Sequence, residues 1–116
     1  MIDEKAVELG RLLGQSNEYQ ALRRAEQALR EDTEAQGKLE TISRLTREFD
    51  EMVAQGQPPE EAKAKEYETT LRQFETSPTG QTYLVARANV DKLMNKVNQK
   101  IGEGIERGAT SGIITL

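Results

Sequence analysis

Apolar residues recur along this chain at steps of three and four, and no segment alternates apolar with polar residues. Each segment that can bury a face must therefore do so as a helix, and none reads as a strand. Ile2, Ala6, Leu9 and Leu13 open the series, and Leu22, Ala25 and Leu29 form a second face with Tyr19 or Ala21 beside it. Leu39, Ile42, Leu45, Phe49 and Met52 keep the spacing for about two heptads, the seam of an antiparallel hairpin or a coiled coil. Ala64, Tyr67, Leu71 and Phe74 make a fourth stripe. The fifth is Leu84, Ala86, Val90, Leu93, Val97 and Ile101, with Met94 adjacent.

Local signals punctuate these stripes. Gly14 stands where a left-handed C-cap is wanted, and Ser16 or Asn17 offers the next N-cap oxygen; with Asn17 capping, Gln20 completes a capping box. The second helix should run from about Glu18 to Glu31, and Asp32 caps the third. Three i,i+4 pairs, Glu34–Lys38, Glu40–Arg44 and Arg47–Glu51, flank its seam. Gln55-Gly56-Gln57-Pro58-Pro59 ends it, with Gly56 free to turn left-handed and Pro59 placed to open the fourth helix ahead of Glu60 and Glu61. Ser77 caps the last helix and Pro78 begins it; Gly102, Gly104 and Gly108 weaken its end, so fraying is expected beyond Ile105. Asp32 to Leu39 also echoes Ser77 to Leu84: a cap, a Gln four residues on, a Leu three later. Two equivalent helix starts packing into equivalent sites would account for the echo.

The fold class that follows is all-α, with about five amphipathic helices forming antiparallel helical hairpins. At 116 residues the chain is one domain. Residues 1–107 should form it, leaving residues 108–116 as an apolar, flexible tail or a segment that tucks against a partner subunit. Only 35% of the residues are hydrophobic and five are aromatic, so the seams are narrow for a closed globule. A bundle completed by oligomerisation answers that shortage. Leu45, Phe49 and Met52 on the third helix, with Tyr67, Leu71 and Phe74 on the fourth, are the candidate oligomer or partner interface.

The inventory excludes much chemistry. With no Cys and no His, there is no thiolate or imidazole metal site, no iron–sulfur ligation, no Cys nucleophile and no His base. The glycines form neither a dinucleotide fingerprint nor a Walker loop. The adjacent carboxylate pairs Glu31-Asp32, Asp50-Glu51 and Glu60-Glu61 diverge by about 100° on a helix and do not converge on a substrate. Neither a catalytic site nor a cofactor is expected. Tyr19, Tyr67 and Tyr83 read as rim tyrosines, ring inward and hydroxyl outward, or as partner contacts.

The net charge is −4, and basic side chains are interleaved with acidic ones almost everywhere. Arg87, Lys92, Lys96 and Lys100, broken only by Asp91, form the richest basic stretch and the candidate anion-binding face. Direct nucleic-acid binding is the minor reading of that stretch and a solvated helix face the major one. No run reaches the roughly 20 apolar residues of a membrane span, and the N-terminus lacks signal-peptide character, so a cytoplasmic protein is expected.

Several short motifs follow in a set order: Ala6-x-x-Leu9-Gly10-x-x-Leu13, then Ser16-x-Glu18-Tyr19-x-x-Leu22-x-x-Ala25-Glu26-x-x-Leu29. Asp32-x-Glu34-Ala35-Gln36, Ser77-Pro78-x-x-Gln81-x-Tyr83-Leu84 and Val97-Asn98-x-x-Ile101-Gly102 complete it. This order, with a Pro-rich break between two long helices, resembles the YlbF/YmcA family of small bacterial regulators from about Ile2 to Ile105. The resemblance implies an all-α fold that self-associates and a cytoplasmic regulatory role without enzymatic activity. It implies assembly with sister proteins, influence on competence, biofilm formation and sporulation, and accessory action with ribonuclease Y in messenger RNA processing. Some complexes of the family hold iron–sulfur clusters through cysteines, a property this Cys-free chain cannot share. The leading expectation is a helical adaptor acting through protein–protein contacts, with a nucleic-acid-binding protein or a purely structural assembly subunit as alternatives.

Overall fold

The computed structural model describes residues 1–114, with side-chain exposure through residue 110. Five helices follow one another: α1 (Ile2–Gly14), α2 (Asn17–Glu31), α3 (Thr33–Ala54), α4 (Glu61–Thr76) and α5 (Pro78–Ile114). Among the described residues there is no strand.

Two helix–helix corners share one device. At the first, Ser16 Oγ donates to the Leu13 carbonyl at 2.6 Å and accepts from the Tyr19 amide at 3.2 Å. At the second, Ser77 Oγ donates to the Phe74 carbonyl at 2.8 Å and accepts from the Gly80 amide at 3.1 Å. One hydroxyl thus gives a second donor to a terminal carbonyl of the outgoing helix, which also accepts the serine's own amide, and satisfies an orphan amide of the incoming one. The cap of α2 is therefore Ser16 rather than Asn17, and Gln20 reaches back to the Gly14 carbonyl at 2.8 Å instead of closing a capping box. With Ser16 turning the chain at once, Gly14 needs no left-handed geometry, and Gln15 ends α1 in a right-handed conformation.

Gly56 is the glycine that does turn left-handed, at φ 72°. Its amide bonds to the Val53 carbonyl at 3.0 Å and that of Gln57 to Met52 at 2.8 Å, the paired bonds of a Schellman C-cap. Helix α4 starts two residues later than expected: the Glu60 carbonyl accepts the first helical bond, from Ala64 at 2.9 Å, and Pro59 lies outside. The spacer so formed lets α4 fold back along α3. Across that pair Phe49 meets the Tyr67 ring edge-on at 5.7 Å, Glu48 lies 3.2 Å from Lys63, and Arg44 lies 3.6 Å from Glu66. Of the three expected ion pairs along α3, Glu34–Lys38 forms at 3.3 Å, whereas Arg44 turns from Glu40 to Glu48 and across to Glu66.

Helix α2 lies antiparallel against the first half of α5: Asn17 and Glu18 neighbour Leu93 and Lys96 at one end, and Ala28 neighbours Gln81 at the other. The two helix pairs meet where Leu29, Ala35 and Phe74 are buried together, with Leu39, Ile42, Tyr83 and Leu84 packed around them. Phe74 and Tyr83 rings meet edge-on at 6.3 Å. The sequence echo finds its meaning here. Ala35 and Gly80 hold the same place, three residues after their caps, and both are buried; Leu39 and Leu84, seven after, line one cluster. The equivalent sites are a single shared site, and Thr79 at the start of α5 stands near enough to the Asp32 carboxylate to help lower its pKa.

Outside this junction the chain is thin. The radius of gyration is 20.0 Å, where a compact chain of this length would have roughly 13 Å. The extents are 63 × 38 × 20 Å. Helix α5, at 37 residues, accounts for the long axis, about 55 Å at 1.5 Å per residue. It continues through Gly102, Gly104 and Gly108 to Ile114 instead of fraying beyond Ile105. Each glycine weakens it, but without a proline every further residue still adds a hydrogen bond to a helix already nucleated. Residues 115 and 116 lie outside the described residues.

A Cβ placed on Gly80 would stand 2.0 Å from the Phe74 carbonyl oxygen, while one on Gly37 in the middle of α3 would meet nothing within 4 Å. Gly80→Ala should therefore lower stability by about 2–3 kcal/mol in urea unfolding, and Gly37→Ala should raise it by about 0.5–1 kcal/mol. Asp32 is a second test. The Ala35 amide, and then Thr79, hold its carboxyl below the usual range. Its contribution is full above the unfolded-state pKa and is lost as pH falls through the lowered folded value. Asp32→Ala should thus destabilise the chain at pH 7, and its gap from the parent in unfolding midpoint should close on acidification toward pH 3.

Candidate interaction site

The six apolar side chains proposed for an interface separate into two groups. Leu45 and Phe74 are 0% and 1% exposed and lie inside the protomer, Leu45 in the α3–α4 pair and Phe74 at the junction. Phe49, Met52, Tyr67 and Leu71 are half-buried along the same pair. Ala64, expected to be covered, is exposed. The outer edge of this seam is the part a second chain can reach.

More fully open apolar side chains lie on α1 and on the second half of α5. No residue of α1 is buried; Ile2, Val7 and Leu12 are 83%, 73% and 52% exposed, and only Leu9 and Leu13 are half-covered. On α5 the seam is buried at Ala86 and Val90, half-buried at Leu93 and Val97, and open at Ile101 and Ile105, 47% and 65% exposed. The apolar row runs on past the end of its cover. Periodicity cannot distinguish these two conditions, because a stripe reads the same whether its partner helix is in the chain or outside it.

A shallow trough also runs along the side of the α2–α5 pair. Asn17, Ala21, Arg24 and Ala28 form its α2 wall, and Val85, Asn89, Lys92 and Lys96 its α5 wall. Steps of four, three and four residues place each set along one face of its helix. Alanines keep the floor low, and Val85 lies 56% exposed beside them. The sequence reading missed this feature, since Ala21 and Ala28 carry too little apolar surface to mark a stripe.

The four basic residues of α5 do not share a face. Five residues separate Arg87 from Lys92, which turns them about 140° apart. Arg87 donates to the Tyr83 hydroxyl at 3.3 Å, and that bond, with Asp91 and Glu26 nearby, raises its pKa. Lys92 and Lys96 line the trough, and Lys100 pairs with Glu103 at 3.1 Å. Tyr67 and Tyr83 have their rings in aromatic contacts within the chain, and Tyr19 is half-buried at the start of α2. Among the described residues no three metal-ligating side chains come together, and no helix is long and apolar enough to cross a membrane.

These features define a class: an all-helical protein with a small junctional core and extended open helix faces. The chain belongs to the YlbF/YmcA family, described as "Control of competence regulator ComK, YlbF/YmcA", whose sequence model matches residues 2–106. A solved structure with the same fold is that of Bacillus subtilis RicA in complex with RicF, at a TM-score of 0.71 and 14% sequence identity. The match covers 93% of this chain and 96% of that one. No curated protein matches the sequence.

Burial assigns Leu45 to the folding of the protomer. Leu45→Ala should cost about 3 kcal/mol in chemical unfolding, by a similar amount at any protein concentration. A loss confined to dilute solution would place that side chain between chains instead.

Proposed function

We propose that this protein is a non-enzymatic cytoplasmic adaptor that regulates through protein–protein contacts, associating with itself and with sister members of its family. The observation that carries the reading is the apolar surface left open on α1 and on α5 beyond Val97, where Ile2, Val7, Ile101 and Ile105 are exposed. Helices as short as the 13-residue α1 are marginal in water without packing, so an uncovered α1 gains from a partner. The outer edge of the α3–α4 seam, at Phe49, Met52, Tyr67 and Leu71, is a further contact zone. Residues 1–107 are the working domain on this reading and residues 108–116 its apolar tail.

Two further facts support it. The family is named for control of a regulator, and the RicA structure is of a complex with RicF. The finer role carried by the resemblance is that of an accessory factor in competence, biofilm and sporulation control and in ribonuclease Y-dependent messenger RNA processing.

Sedimentation and native mass spectrometry across a hundredfold concentration range test the core of the proposal. A reversible dimer or larger oligomer is expected, and Ile101→Glu with Ile105→Glu should shift it toward monomer while circular dichroism stays helical. A chain that remains monomeric throughout and draws no reproducible protein from its native cytoplasm would overturn it.

A further inference from the structure

The α2–α5 trough differs in kind from the open apolar ends. Its floor is small and apolar, at Ala21, Ala28 and Val85, and its rim carries Arg24, Lys92 and Lys96. All three cations are exposed, and none is within ion-pair distance of a carboxylate among the described residues. Unpaired cations such as Arg23, Arg47 and Lys65 occur elsewhere among the described residues too, but Arg24, Lys92 and Lys96 are gathered along one trough. Glu18 is the one acid that lines the trough.

We infer that this trough docks an amphipathic helix of a partner protein whose apolar stripe is flanked by acidic residues; the inference rests on the adaptor reading above. Shape and charge each contribute. From Asn17 to Ala28 the trough spans about 17 Å, three turns of helix. Two antiparallel helices floored with alanine let a third approach closely, since interaxial distance follows side-chain size at the contact. The free cations select the flanks of the incoming helix. They also disfavour a second copy presenting this same pair of walls, because each copy would bring three cations and only Glu18 as a counter-charge to the contact. Three cations beside an alanine floor with no aromatic ring make a poor RNA surface, for single strands require stacking platforms and a longer basic track.

The test uses the full-length chain and a fluorescent synthetic peptide of about 18 residues. The peptide carries Ala and Leu at three- and four-residue spacing with Glu on both flanks, and binding is read by anisotropy. Binding is expected to weaken with added salt and to fall about tenfold or more in the Lys92→Glu, Lys96→Glu double variant. Ala21→Phe, which fills the floor without altering charge, should reduce it as well. The same peptide with Lys in place of Glu should stay free. Circular dichroism confirms that each variant remains helical.

The inference is overturned if the acidic peptide does not bind, if both peptides bind alike, or if the variants bind as the parent does. It is also overturned if a peptide of residues 1–15 of this chain, or a single-stranded RNA, binds more tightly than the acidic helix. Sedimentation on the same samples separates the two proposals. Self-association without peptide binding removes the trough and leaves the adaptor; the loss of both removes both.

Discussion

The close approach of α5 to α4 at Gly80 governs the architecture. Gly80 brings the first turn of α5 against the Phe74 carbonyl, and Ser77 Oγ serves both helices at once. The corner holds Phe74 in place, and Phe74 in turn joins Leu29 and Ala35. One glycine and one hydroxyl thereby set how the α3–α4 hairpin meets the α2–α5 pair. Asp32, which accepts from the Ala35 amide at 3.1 Å, caps α3 at the same junction. This junction is where the two helix pairs are joined, while Leu45 in the α3–α4 pair and Ala25, Ala86 and Val90 in the α2–α5 pair are buried along the arms that extend from it.

That organisation separates the buried side chains that hold the fold from the open apolar faces. The fully buried large side chains are Phe74 and Leu45, and the remaining core residues are small or aliphatic. Those open faces carry no burden of intrachain packing. Surface ion pairs such as Arg44–Glu66 and Glu48–Lys63 align α3 with α4 but contribute at most about 1 kcal/mol each, so the apolar contacts decide the geometry.

Much of the fold was legible in the sequence because its signals are local. Asp32, Gly56 and Ser77 act as caps where their residue types require, and the spacing of Leu39 to Met52 gives a helix that packs on its successor. Where two local signals compete the sequence decides less. Of the two caps it offers, Ser16 rather than Asn17 is used because its hydroxyl serves both helices, and Pro59, expected to open α4, lies outside it. The candidate interface was less legible, since burial depends on contacts between distant segments. Phe74 and Ile101 both look like seam residues, yet one is enclosed and the other open. The trough was invisible because alanine is as common on indifferent helix faces as on close-packed ones. Arg87 was grouped with Lys92 by proximity in sequence, whereas helical rotation separates them.

The slenderness of the core bears on the protein's lifetime as well as its shape. A chain closed around two large side chains holds little stability in reserve. Whatever covers its open faces adds to that reserve by mass action, about 2.7 kcal/mol when the free partner stands a hundredfold above its dissociation constant. An uncovered subunit then opens more often and meets cellular proteases more often than an assembled one. On the proposed adaptor reading, abundance is in this way tied to assembly, and copies made in excess of their partners are the first to be cleared.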